Sequence, residues 1–152
     1  MNAQGALTFP NATIHLSKAE WKSMSANDQY AAMVKTITPK VVAFAPDAEL
    51  IPGTVKAVDV KGHTPGHSAY LITSGVGSLL YVGDSMHHYV VSVQKPEWTI
   101  AFDGDAPTAQ KSRADVIAAS AANGQRIYAV HFPFPGIGKF EKRADGIVWV
   151  GE

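Results

Sequence analysis

Three short segments each set a histidine or aspartate at the end of an apolar stretch, beside glycine or proline. They are Gly62-His63-Thr64-Pro65-Gly66-His67-Ser68, Tyr81-Val82-Gly83-Asp84 and Ala129-Val130-His131-Phe132-Pro133-Phe134-Pro135-Gly136. Such strand ends are where a fold presents ligands to a substrate. Imidazole and carboxylate together are a donor set for a zinc-like ion, which makes His67, Asp84 and His131 the candidate ligands. Taken singly, each is accounted for as a satisfied turn residue. The coincidence of all three points to a metal. Five of the six histidines lie between positions 63 and 131.

Thr64-Pro65-Gly66 fixes the backbone before His67, and Gly83 permits a tight turn around Asp84. Residues 132–135 after His131 are expected to form a stiff apolar wall, with Phe132 and Phe134 facing a substrate pocket. A dry wall of this kind raises the electrostatic worth of a metal and lowers the pKa of its bound water. His63 is expected behind the ligands, orienting them. His87 and His88 follow Asp84 closely enough to line the pocket or to lie on the surface. His15 is expected to pack.

The elements that must hold these groups read as a layered α/β or α+β domain. A strand over 13–16 ends at Ser17, an N-cap for a helix from Lys18, with Glu20 completing a capping box. A second helix is expected over 26–37, with Tyr30, Met33, Val34 and Ile37 on its core face and Pro39 ending it. Strands follow over 41–44, 55–60, 68–73 and 78–82, the last two forming a hairpin through Gly75-Val76-Gly77 with Tyr70, Ile72, Leu80 and Val82 inward. The clearest helix opens at Asp105, carries Pro107 near its first turn and closes at Asn123-Gly124. Its core stripe is Ala109, Val116, Ile117, Ser120 and Ala121. Strands over 127–130 and 147–150 complete the set, and Trp21, Trp98 and Phe102 are assigned to the core.

The bulk numbers exclude several classes. The chain has 152 residues, 46% hydrophobic and 17% charged, with zero formal net charge, which suits one globular domain. It has no basic stripe for nucleic acid and no apolar run able to span a bilayer. The absence of cysteine removes disulfides, thiolate zinc sites and cysteine nucleophiles. Met1-Asn2-Ala3-Gln4-Gly5 does not read as a signal peptide, and localisation stays open. Gly66-His67-Ser68-Ala69-Tyr70 falls one glycine short of a nucleophile elbow. Gly136-Ile137-Gly138-Lys139 lacks the spacing of a phosphate loop. Asp103-Gly104-Asp105 is explained by helix capping.

Taken together, residues 62–68, 80–87 and 131–138 resemble the metallo-β-lactamase-fold hydrolases, in the branch of methyl-parathion-hydrolase-like and lactonase-like enzymes. The resemblance runs over nearly the whole chain. It implies that His67 binds a first metal, that Asp84 bridges two metals as the catalytic carboxylate, and that His131 binds the second. It also implies hydrolysis of an ester, lactone or phosphotriester by a metal-bridging hydroxide, with zinc as the first expectation for the ions. The family's His-x-His-x-Asp-His stretch has no counterpart here, since Met1 falls where it would just have ended. The expectation is therefore the C-terminal half of an αβ/βα sandwich, a mixed sheet with outer helices, binding metal weakly or partially and needing its other half for activity. That half could come from a complementing N-terminal chain. The alternative is a non-catalytic half-domain that dimerises through its open face and keeps relic ligands. A third arrangement is a self-sufficient site using His63, His87 or His88 as substitute ligands.

Overall fold

The strand-forming stretches assemble into two sheets, one in each of two compact units, Met1–Ala45 and Pro46–Glu152. The structure is a computed structural model and describes Met1–Glu152.

In the first unit, β1 (Ile14–Ser17) pairs in parallel with β2 (Val41–Phe44). The Ser17 hydroxyl accepts the Glu20 N–H at 3.1 Å and opens α1 (Lys18–Ser25). The single helix expected over 26–37 is interrupted. The Asn27 side chain accepts the Gln29 N–H and starts a separate 3₁₀ turn, Asp28–Tyr30, before α2 (Ala31–Ile37) begins. Short polar side chains compete with the helix for backbone groups in this way. Tyr30 is consequently exposed rather than inward, whereas Ile37 is buried. Pro39 lies in the turn that ends the helix, as expected. His15 is exposed rather than packed, and Trp21 is half-buried.

The second unit holds seven strands whose spatial order follows the chain: β3 (Glu49–Ile51), β4 (Val55–Asp59), β5 (Ser68–Ser74), β6 (Gly77–Tyr81), β7 (Ile127–Tyr128), β8 (Ile137–Arg143) and β9 (Gly146–Gly151). Neighbours are antiparallel except β6 and β7, which are parallel. A parallel pair needs a long crossover, here carrying α3 (Val91–Gln94) and α4 (Ala106–Asn123). β3 and β8 were not expected. β8 alternates buried Gly138 and Phe140 with Lys139 and Glu141, so its outward charges mask a period of two.

Register corrects the inward assignment on β5. Tyr70 lies opposite Tyr81, and Leu71 opposite Leu80. Directly opposed residues share a face, so Leu80 and Val82 belong with Ala69 and Leu71, which pack in the core, while Ile72 is exposed. The core gathers these residues with Val60, Met86, Ile117, Ile127 and Phe140.

α4 forms as its sequence signals require. Asp105 accepts the Thr108 N–H at 3.2 Å, and Gly124 closes the helix with φ 67°. Ala109, Val116, Ile117 and Ser120 are buried as expected, and Arg113 is buried with them. Trp98 and Phe102, assigned to the core from sequence, are both exposed.

Candidate metal centre

The parallel pairing of β6 and β7 sets the site. Tyr81 is registered with Tyr128, and Asp84 and His131 each follow their tyrosine by three residues. Both chains leave the sheet at the same end and turn at once. The His131 Nε2 then stands 2.8 Å from Asp84 Oδ1.

The turn at Asp84 depends on Gly83, whose φ is +54° and where a Cβ would lie 2.8 Å from His67 Nε2. With glycine there, the Asp84 N–H donates to His67 Nε2 at 3.0 Å. His67 thus stands against Asp84, bonded through Nε2 to its backbone rather than to its carboxylate. The β4–β5 connection also carries His63. Its Nε2 lies 3.7 Å from Asp84 Oδ2, and its Nδ1 lies 3.3 Å from Asp103 Oδ1.

His87 stacks on His131 with ring centroids 4.7 Å apart. The ligand atoms of Asp84, His87 and His131 all lie within 4.8 Å of one another, and His87 Nδ1 is buried without a hydrogen-bond partner. His88 lies elsewhere: its Nδ1 accepts the Val90 and Val91 N–H groups at 3.2 Å, capping α3. The expected wall of residues 132–135 does not form as one surface. Phe132 is in the core, edge-on to Trp149, while Phe134 is 99% exposed.

Two residues that the sequence reading missed support the centre from beneath. Arg113 and Asp103 form an ion pair at 2.7 Å with both side chains fully buried. Arg113 also donates to the Ser85, Pro96 and Trp98 carbonyls, tying down the segment that carries His87. The signal was present in the 3.6-residue stripe of α4, which passes through 113 between Ala109 and Val116 or Ile117. A charged residue on a core face is buried only when paired.

Partial burial pushes the Asp84 carboxyl up. The His131 hydrogen bond and the fields of His131, His63 and His67 outweigh it and hold the group below its ordinary range. Burial lowers His87, and His131 and His63 lower it further, against the opposing pull of Asp84 and Asp103. The site thus favours an ionised carboxylate beside a neutral imidazole, the protonation states that metal ligands require.

These residues fit a divalent cation. A carboxylate and two imidazoles converge, and one imidazole nitrogen is buried with no other partner. Three protein ligands with an open position are the usual composition of a catalytic zinc site.

No protein-family model matches the chain, and no functionally curated protein matches it. Solved structures do. AidC, a dizinc quorum-quenching lactonase in complex with an N-acyl-homoserine product, superposes with a TM-score of 0.87 at 27% identity, over 100% of this chain and 58% of that one. The hydrolase AbOPH of the β-lactamase superfamily gives 0.84 at 29% identity, over 97% of this chain and 57% of that one. A probable metal-dependent hydrolase from Staphylococcus aureus gives 0.77 at 19% identity, over 98% and 55%. The seven-stranded mixed sheet and the strand-end cluster of Asp84, His87 and His131 thus accompany a lactonase-like metallo-β-lactamase fold, of which this chain spans a little over half the length of its neighbours.

Proposed function

We propose that the chain carries the metal-holding part of a hydrolase that cleaves an ester, lactone or phosphotriester. The observation that carries this reading is the convergence of Asp84, His87 and His131 at the paired ends of β6 and β7. In this reading Asp84 and His131 hold the ion. His87 completes the set, and His67 stands against them with its Nε2 bonded by the Asp84 N–H. When bound, a divalent cation supplies Lewis-acid polarisation of a carbonyl or phosphoryl oxygen and lowers the pKa of water. The chain's own residues orient that chemistry. Asp84 Oδ1 and His131 Nε2 are held 2.8 Å apart, Gly83 keeps the turn tight, and the Arg113–Asp103 pair anchors the loop beneath. The lactonase and hydrolase neighbours support the reaction class. A second ion and full turnover call for further ligands, in keeping with a chain that spans 58% of its dizinc neighbour.

The test is elemental mass spectrometry of the chain after dialysis against zinc, followed by assays on a lactone, an aryl ester and a phosphotriester. The expected result is about one ion retained per chain, the number that three protein ligands with one open position can hold. Hydrolysis of at least one substrate should exceed that of the Asp84→Asn variant. No retained metal together with no hydrolysis above that variant would overturn the reading.

A further inference from the structure

β9 (Gly146–Gly151) is the last strand of the seven-stranded sheet, and its outer edge is open. In an antiparallel pair, alternate residues exchange both backbone bonds with the neighbour. The Glu152 N–H donates to the Ile137 carbonyl at 2.9 Å, which puts Val150, Val148 and Gly146 in the phase that bonds to β8. Ile147, Trp149 and Gly151 therefore point their N–H and C=O groups away from β8, and none of these groups has a partner.

The two edges of the sheet differ. β3 has three residues, carries Glu49 and breaks register between Glu49 and Ile51. Shortness, charge and irregularity keep an edge from pairing. β9 has none of them. Its six residues, Gly-Ile-Val-Trp-Val-Gly, contain no charge and no proline, and its register with β8 is unbroken. Nor does its large side chain screen the edge. The Trp149 ring lies inward over β8, where a Cβ on Gly138 would fall 2.7 Å from it, and it packs edge-on to Phe132 and Phe140.

A second copy of the same strand fits this edge. When two copies run antiparallel about a two-fold axis at Trp149, residue 149 faces its own copy and Ile147 faces the partner's Gly151. All three outward residues then exchange both backbone bonds, and every unused group on both strands is paired. A register shifted by two residues leaves one end of each strand unpaired. The alternate row sets Val148 against the partner's Val150, a favourable β-branched pair.

Charge favours the same register. Arg143 lies opposite Gly146, and the two-fold pairing sets Gly146 opposite the partner's Glu152. One row thus runs from Arg143 across a glycine to Glu152, with no side chain between them. In the single chain these groups rest on exposed neighbours, Arg143 on Glu141 and Glu152 on Arg126, contacts of small worth. A cavity of about 260 Å³ opens along the edge at Gly146, Ile147 and Val148, walled by Gln94, Arg143 and Asp145. It offers room for the partner's Gly151 and Glu152. The formal net charge is zero, so no long-range repulsion opposes the approach.

We propose that β9 is a self-association edge: two copies of this chain pair antiparallel along residues 147–151 about Trp149 and join their sheets into one. The inference is independent of the metal-dependent reading. A strand edge buries little area, so the dimer is a weak one.

The full chain is studied by sedimentation velocity from about 10 μM to about 1 mM, the range in which a small interface assembles. Amide hydrogen exchange is followed residue by residue at both ends of that range. The expected result is a concentration-dependent dimer in which the Ile147, Trp149 and Gly151 amides slow by about tenfold or more. Those of Val148 and Val150, already bonded to β8, should change least. Gly151→Pro removes only an outward N–H, where an edge strand tolerates proline, and should leave a monomer. Arg143→Glu and Glu152→Arg should each weaken the dimer by ~10-fold, since each counts twice in a two-fold assembly. The double exchange should restore it. Within one chain, Glu152 lies about 20 Å along β9 from the residue opposite Arg143, at ~3.3 Å per residue, so rescue reports contact between copies. A chain that stays monomeric across the whole range overturns the inference, and so does a dimer whose three edge amides exchange as in the monomer. Both of these readouts use the wild type and hold even if a variant fails to fold.

Discussion

The His131 Nε2 and the Asp84 Oδ1, 47 positions apart in the chain, stand 2.8 Å from each other because β6 and β7 run parallel and in register. Neither strand end alone makes a site. With His87 the pair brings a carboxylate and two imidazoles together, and His87 Nδ1 is buried with no hydrogen-bond partner.

Metal binding should therefore stabilise the fold, and the gain should depend on His131. A ligand that binds only the native state adds about 2.7 kcal/mol at a free concentration 100 times its Kd. Zinc should raise the melting temperature of the wild type. His131→Ala should abolish most of that shift while leaving the metal-free melting temperature close to wild type, since the His131 side chain is 41% exposed. Differential scanning fluorimetry with and without zinc checks this. An equal zinc-dependent shift in the variant would remove His131 from the ligand set.

The metal-free chain should lose stability as the pH falls below about 6.5, the ordinary histidine value. His87 is depressed in the folded state, so between its folded value and 6.5 the unfolded chain binds more protons. Stability then rises with pH in that window and falls as acid is added. Asp84 has the complementary window: its folded value is lowered from 3.8, so its contribution is present above 3.8 and is lost as the pH falls through the folded value. Urea unfolding from pH 4.5 to 7.5 should show the His87 slope in the wild type and a flatter curve in His87→Gln. Identical slopes would show that His87 does not titrate as described.

Arg113 should be among the costliest side chains to remove. Arg113→Ala leaves the buried Asp103 carboxylate without its ion partner and three carbonyls without a donor. Breaking a buried pair by deleting one partner costs ~3–5 kcal/mol. The double variant Arg113→Met with Asp103→Leu should cost less than the sum of its single variants, because it leaves no orphaned charge. Denaturant midpoints of the four proteins test this, and strict additivity would contradict the coupling.

Gly83→Ala should disturb the centre and the fold together. A non-glycine residue at φ +54° is strained, and the added carbon would fall 2.8 Å from His67 Nε2. A cost of ~1–3 kcal/mol is expected from the backbone alone. The bond from the Asp84 N–H to His67 should also break, visible as faster hydrogen exchange of the Asp84 amide. Unchanged exchange with unchanged stability would mean that the turn tolerates a side chain.

Much of this was legible in the chain itself, because local signals act over a few residues. Ser17 and Asp105 cap their helices, Gly124 ends α4, and the 3.6-residue stripe names most of the face that α4 buries. Residue type and turn context likewise marked Asp84 and His131 as chemistry at strand ends. Where local signals conflicted, the prediction failed. Asn27 broke a helix that its apolar spacing favoured, and the outward charges of β8 hid a strand. Only the tertiary structure decided which groups meet. The parallel register of β6 and β7 joined Asp84 to His131, and the antiparallel register of β5 and β6 moved Tyr70 and Ile72 off the core face. Folding back of α4 buried Arg113 against Asp103 and so set the far side of His63. These are contacts between residues distant in sequence, and their partners are set by strand pairing and packing, which no local pattern encodes.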